Sequence, residues 1–275
     1  AGYWEVDRRQ EKYIRTLLEY QEKLQQSNEE TKRANQAKSE FLSHMSHDIR
    51  TPINGIMGMV EIIKKNLDDP ERIKDCLEKI DKASHHLLSL INDVLDMSKI
   101  GSGKVHLEEI PVDLDEEMEK IHAIADVQAK KQEIRFSIED EVVHRQFLGS
   151  PAHLRRILLN LISNALRYNK KGGKICLAIR EVEYDGSHIG LEFKVQDTGI
   201  GMSREFVEKS LFKPFTQEDD RVRTEYRGTG LGMSIVYELV KQMNGTIDVN
   251  SKPGEGTTFT VKLAFKTVDP AWKKK

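Results

Sequence analysis

Two histidines, an acid and a hydroxyl fall within one short stretch, Phe41 to Met59, FLSHMSHDIRTPINGIMGM. Read as a helix, Leu42, Met45, Ile49, Ile53, Ile56, Val60 and Ile63 gather on one face through spacings of three and four. His47 falls nearly opposite that stripe and is expected in solvent. A neutral imidazole is a nucleophile at neutral pH, and a carboxylate next door, Asp48, can orient one ring nitrogen and leave the other free to attack. Thr51, one turn on, offers a hydroxyl that could position a water or a phosphoryl group. Pro52 lacks an N–H, so it frees a backbone carbonyl close to the histidine. The plainer alternative makes His44 and His47 solvated helix residues.

A second constellation lies far along the chain. In Leu159-Asn160-Leu161-Ile162-Ser163-Asn164-Ala165 two asparagines stand four apart on one helix face among apolar neighbours. Amides in such a setting need partners, and a magnesium ion with nucleotide phosphates would supply them. Arg167 and Tyr168 follow, a cation for phosphate and an aromatic for sugar or base. Val195-Gln196-Asp197-Thr198-Gly199-Ile200-Gly201-Met202 closes a strand with an acid and two glycines, where backbone can pass close to a ligand and a carboxylate can accept from an exocyclic amine. Arg227-Gly228-Thr229-Gly230-Leu231-Gly232-Met233 opens a helix whose free N–H groups suit an anion. Capped helices and tight turns are the alternative for each segment. The spacing GTGLG does not match the dinucleotide pattern GxGxxG.

Together these segments resemble the sensor histidine kinases. Ser46-His47-Asp48-Ile49-Arg50-Thr51-Pro52 is similar to the phosphoacceptor motif of that family, with Asp48 in place of the commoner Glu. Asn160/Asn164, Asp197-Thr198-Gly199-Ile200-Gly201, Phe212-Lys213-Pro214-Phe215, Gly228-Thr229-Gly230-Leu231-Gly232 and Gly254-Glu255-Gly256-Thr257 look, in order, like the N, first glycine, F, second glycine and third glycine boxes of its catalytic domain. The resemblance covers roughly residues 30 to 265. It implies an ATP-binding domain of the Bergerat fold, shared with gyrase and MutL. It further implies that Asn164, with Asn160 near it, serves Mg²⁺, that Asp197 holds the adenine amine, and that Arg167 meets phosphate. Tyr168, Gly199, Gly201, Phe215, Gly228, Gly230, Leu231, Gly232 and Thr257 are expected around the nucleotide, and residues 212–227 as a mobile lid.

Elements that would carry these residues are readable in the same way. Tyr13, Leu17, Tyr20 and Leu24 form a brief heptad seam in a polar, proline-free stretch, so residues 1–40 are expected as a signalling helix or coiled-coil connector. After a polar break, Ile73, Leu77, Ile80, Ser84, Leu87, Ile91 and Val94 make a second helix, with Asp69 as N-cap and Pro70 at its first position. One helical hairpin cannot bury both stripes, so two are expected to pair into a dimeric four-helix bundle over residues 41–100. A linker, 101–106, leads to an α/β sandwich over 107–268, followed by a tail at 269–275. Strands are expected near 104–107, 134–138, 174–182, 189–196, 246–251 and 257–265, and helices near 115–131, 151–168, 203–211 and 231–244.

Composition narrows the class. The chain has 275 residues with Lys+Arg 43 against Asp+Glu 45, a formal charge of −2, which disfavours a nucleic-acid binder held by a basic face. Two cysteines, Cys76 and Cys176, sit far apart in apolar patterns and are expected as reduced core residues, consistent with a cytoplasmic setting. No run approaches 18 consecutive apolar residues, so any membrane anchor of a parent sensor would lie in other segments.

The resemblance implies an ATP-dependent histidine autokinase. His47 would take the γ-phosphoryl group, Asp48 would act as base or orienter, and an aspartate of a response-regulator receiver domain would receive the group next. Thr51 stands where the family places the residue used for dephosphorylating the partner. Wording such as FKPFTQED resembles hybrid kinases. Two alternatives stay open: a dimeric scaffold with a decayed nucleotide site, and an ATPase of the gyrase kind. Against the second, Asn160 stands where an acid would be needed to activate water.

Overall fold

The computed structural model describes residues 45–101, 107–216, 218 and 230–268, together with residues 21, 24, 25, 28, 29, 32 and 43. The chain separates into two compact units, Ala1–Ser84 and His85–Lys275. The described residues before 45 are helical, and Leu24 is largely exposed. The rest of the expected coiled-coil seam, and the tail from 269, lie outside the described residues.

In the first unit, helix α1 (residues 45–65) turns back into the start of α2 (Pro70–Gly101). The turn closes by its own polar groups: the Asn66 side chain donates to the Ile62 carbonyl at 2.7 Å, and the Asp69 N–H donates to the Asn66 carbonyl at 3.1 Å. Asp69 then caps α2, its Oδ1 accepting from the Arg72 N–H at 3.0 Å, while Pro70 holds the first position. Met45, Pro52 and Cys76 are buried, whereas Met57 and Leu77 on the two helices remain exposed.

Residues 85–101 of α2 belong to the second unit. There follow β1 (Ile110–Asp113), α3 (Leu114–Lys131), β2 (Arg135–Glu141), β3 (Gln146–Gly149), α4 (Pro151–Arg167), β4 (Lys174–Tyr184), β5 (His188–Asp197), α5 (Arg204–Lys209), α6 (Gly232–Gln242), β6 (Thr246–Lys252) and β7 (Gly256–Thr267). The seven strands order as β1-β3-β7-β5-β4-β2, with β6 paired on β7. β2 and β4 run parallel, and the other pairings are antiparallel. On β4 and β5 the apolar set Ile175, Leu177, Ile179, Leu191, Phe193 and Val195 is fully buried beneath the helices, and the intervening residues are only half-buried. That alternation is the signature of a sheet covered on one face.

Local chemistry starts each helix where it is needed. The Asp113 carboxylate caps α3 by accepting from the N–H groups of Asp115 and Glu116, and Lys130 and Lys131 sit in its last turn. Pro151 opens α4. Glu117 of α3 is buried but paired twice over, with Nε and Nη2 of Arg155 at 2.9 and 2.6 Å on one oxygen and with Lys120 at 2.8 Å on the other. This ion cluster joins α3 to α4.

Two expectations need correction, and one strand had no counterpart among those expected. No strand forms at Leu107, the one described residue of the stretch expected at 104–107; strand entry comes at Ile110, and β3 was not anticipated. Both strands have four residues, too few for a period of two to stand out. Cys176 is not a core residue, because β4 turns it to the sheet's half-open face while Ile175 and Leu177 point inward. Cys76 is buried as expected, and both thiols are free.

Candidate functional site

Two sites emerge, one in each unit. On α1 the His47 side chain is 79% exposed, and its Nδ1 lies 3.1 Å from Asp48 Oδ1. A carboxylate accepting from Nδ1 leaves Nε2 with its lone pair, which is the state a nucleophile requires. Thr51 Oγ1 donates to the His47 carbonyl at 3.1 Å, so the hydroxyl is held beside the histidine on the same face.

The second site is a cavity of about 470 Å³ between α4, the end of β5 and the head of α6. From α4 it receives Asn160, Asn164, Arg167 and Tyr168; from the other elements Asp197, Gly201, Gly230, Gly232 and Thr257. Asn160 Nδ2 is buried without a hydrogen-bond partner, the one such side-chain atom among the described residues. An orphaned amide in a polar cavity fits a ligand that supplies oxygen, and rotating the amide by 180° would instead present its own oxygen to a cation. The donor set therefore suits a magnesium–polyphosphate group, hard cation and anionic oxygens together.

Asp197 is buried at the end of β5. Its Oδ1 accepts from the Gly199 N–H at 2.8 Å and the Thr257 N–H at 3.3 Å. Burial pushes its carboxyl above the usual carboxylate range, and these two bonds oppose the rise without cancelling it. With Oδ1 held by backbone, Oδ2 is the acceptor left for a ligand amine. Behind it, Ser251 Oγ accepts from the Met202 N–H at 2.8 Å and pairs with Thr257 Oγ1 at 2.8 Å. Gly201 adopts φ 67°, and a Cβ there would collide with the Lys252 carbonyl, so the loop packs this close only with glycine.

No side chain caps α6, and Gly232 and Met233 at its first turn border the cavity. Its uncapped end suits an anion. Leu231 is fully buried beneath that turn. Phe215 donates its N–H to the Gly230 carbonyl at 3.0 Å, so the expected F and second glycine boxes meet through backbone. Gly199 and Phe215 thus support the cavity from behind. Gly228, and most of the expected lid, lie outside the described residues.

Several contributors carried no sequence signal. Ser89 and Asp93 of α2 border the cavity. Arg156 of α4 pairs with both Asp93, at 3.2 Å, and Asp96, tying this end of α2 to α4. Arg156 stands 60 or more residues from these two acids, which hides the set from local patterns. Asn169 is buried below the Asp197 loop, its Nδ2 donating to the Lys174 carbonyl at 3.1 Å and its Oδ1 accepting from the Lys170 N–H at 3.0 Å. A lone polar residue before two glycines reads as loop, so nothing marked it.

An exposed histidine oriented by a carboxylate on one helix, and an α/β sandwich with a polar cavity at a helix N-terminus, are features of proteins that pair a phosphoacceptor helix with an ATP-binding domain. Comparison with known proteins gives the family. The His Kinase A (phospho-acceptor) domain matches residues 37–103, and the Histidine kinase-, DNA gyrase B-, and HSP90-like ATPase domain matches residues 149–267, so the chain belongs to the histidine kinases. The sensor histidine kinase GacS of Pseudomonas protegens is 39% identical over 250 residues, 90% of this chain and 27% of GacS. Autoinducer 2 sensor kinase/phosphatase LuxQ of Vibrio parahaemolyticus is 34% identical over 254 residues, 92% of this chain and 29% of LuxQ. The crystal structure of full-length ShkA in complex with AMPPNP aligns with a TM-score of 0.61 and 28% identity, covering 83% of this chain and 46% of ShkA. The chain therefore spans less than a third of these two curated relatives.

Proposed function

We propose that this chain is the kinase region of a sensor histidine kinase, in which ATP held in the α4–α6 cavity phosphorylates His47. Nε2 of His47 attacks the γ-phosphorus, the bond to the β,γ-bridging oxygen breaks, and ADP leaves. Asp48 orients the ring through Nδ1 and stabilises the positive charge that grows on it. Asp197 accepts from the adenine amine, and Arg167 and the α6 amides meet the phosphates. Asn164, with Asn160, would hold Mg²⁺, which neutralises phosphate charge. The observation that carries this reading is the orphaned Asn160 amide beside Asp197 in one cavity, together with the exposed, Asp48-oriented imidazole on α1.

Phosphohistidine would then pass its group to an aspartate on a response-regulator receiver domain. Thr51, held beside His47, supports dephosphorylation of that partner as a second output. Exposed Met57, Leu77, Leu88, Ile91 and Leu95 support pairing of two hairpins into a homodimeric bundle. The division into 41–100 and 107–268, joined at 101–106, is retained as the functional one. Among the described residues no helix is long and apolar enough to cross a membrane. A cytoplasmic place within a larger, membrane-anchored or hybrid sensor is the setting this reading favours.

The test is incubation with γ-labelled ATP and Mg²⁺ for the parent, His47→Gln and Asn164→Ala. Label on the parent that survives alkali, disappears in mild acid and is missing from both variants supports the reading. Label persisting on His47→Gln would move the acceptor elsewhere, with His44 next; a parent that binds ATP but takes no label would favour a scaffold.

A further inference from the structure

Tyr237 lies in the helix expected near 231–244 but in none of the motifs, and it does not border the cavity. It stands on α6, four residues after Met233, so the two are neighbours on one helix face. Met233 borders the cavity, and Tyr237, one turn further, meets the ring of Phe212 with centroids 4.9 Å apart and planes at 32°. Phe212 lies in the 211–216 turn, from which Leu211 and Thr216 also wall the cavity.

That turn is not at rest by itself. Phe215 sits at φ 63°, a left-handed conformation costly for a bulky residue, and such strain persists only when surrounding contacts over-determine it. Within the turn, Thr216 Oγ1 donates to the carbonyls of Ser210 and Lys213 at 2.5 and 2.8 Å. The turn is tied to Gly230, just before α6, by the Phe215 N–H on its carbonyl at 3.0 Å, and to the middle of α6 by the Phe212–Tyr237 ring contact. The first is backbone and common to any side chain at these positions. The second depends on an aromatic at 237.

We propose that Tyr237 is a positioning residue for the nucleotide site, holding the 211–216 turn against α6 so that the cavity wall is formed before the nucleotide arrives. The inference rests on the nucleotide reading of the cavity and adds a residue to it. Without the ring, binding itself must order the turn, and the apparent affinity falls by the fraction of molecules in which the wall is formed. An aromatic pair of this geometry shifts such an equilibrium by a factor of roughly 2 to 12. Tyr237 is 40% exposed, so its removal leaves the core intact. The phenolic oxygen has no part in the argument, so phenylalanine should serve as well.

The experiment is calorimetric titration of the intact chain with Mg-ADP, and the ATP dependence of labelling, for the parent, Tyr237→Ala, Tyr237→Phe, Phe212→Leu and the Phe212→Leu/Tyr237→Ala double variant. Expected is a rise of about three- to tenfold in Kd and in half-saturating ATP for Tyr237→Ala, with the rate at saturating ATP nearly unchanged. Tyr237→Phe should restore parental affinity, and the double variant should lose little beyond the worse single one, because both remove the same contact. Parental affinity in Tyr237→Ala, equal loss in Tyr237→Phe, or fully additive losses would each overturn the role of Tyr237 while leaving the nucleotide site standing. A parent that binds no Mg-ADP would overturn the reading of the cavity, and this inference with it.

Discussion

The Nδ1 of His47 lies 3.1 Å from Oδ1 of Asp48, although the two side chains are adjacent in sequence and diverge around the helix. The bond closes across solvent-facing surface, so it costs little desolvation and holds the ring with Nε2 outward. Asp48 is thereby an orienting group whose charge and length can be tested separately.

Asp48→Asn keeps the size of the side chain and removes the charge. The initial rate of acid-labile labelling at saturating ATP should fall about 100-fold, the lower range for loss of a positioned base. Asp48→Glu, which retains the carboxylate at the end of a longer arm, should stay within about tenfold of the parent. Equal losses in both variants would show that reach matters as much as charge, and a parental rate in Asp48→Asn would overturn the role given to the carboxylate.

Asp197 predicts opposite effects on stability and on binding. Burial raises its folded-state pKa above the unfolded value, against the hydrogen bonds from Gly199 and Thr257. A carboxyl raised in this way binds its proton more tightly when folded, so its contribution to stability declines as pH climbs from the unfolded value through the folded one. Asp197→Asn, which does not titrate, should therefore match the parent in strongly acidic buffer and melt higher than the parent at pH 7. Its stabilisation by Mg-ADP should vanish. Melting curves across pH, with and without nucleotide, read both effects, and a lower melting point for the variant at pH 7 would contradict the assignment.

Buried Glu117 and half-buried Arg155 make an ion pair that welds α3 to α4. Arg155→Ala would leave the Glu117 carboxylate buried with Lys120 alone, which should cost about 3 kcal/mol in denaturant-derived stability. Replacing both by Leu and Met should recover much of that loss, since the penalty comes from the unpaired charge. Urea titration of the three proteins is the measurement.

How far the chain could be read in advance follows from which forces are local. Asp69 capping α2 beside Pro70 was legible because cap and helix lie within four residues. The alternation of Ile189, Leu191, Phe193 and Val195 announced β5 because period two survives over ten residues. The short strands β1 and β3 offered no such run. Cys176 was misplaced for a related reason: an apolar neighbourhood marks a strand, but only the sheet's orientation says which face is covered.

Residue types at short spacings carry the chemistry expected of this chain. A histidine with an acid beside it, two asparagines one turn apart and glycines at strand and helix ends are choices of residue type and short spacing, and covalent order sets them. Tertiary structure alone decided which groups share a cavity. Ser89 and Asp93 reach it from α2, Arg156 ties that helix to α4, and Asn169 braces the Asp197 loop, each through partners distant in the chain. The Phe212–Tyr237 contact is of the same kind, since it exists only once α6 has packed against the 211–216 turn. Such contacts follow from burial and close packing of whole elements, which depend on every residue of the core rather than on any motif.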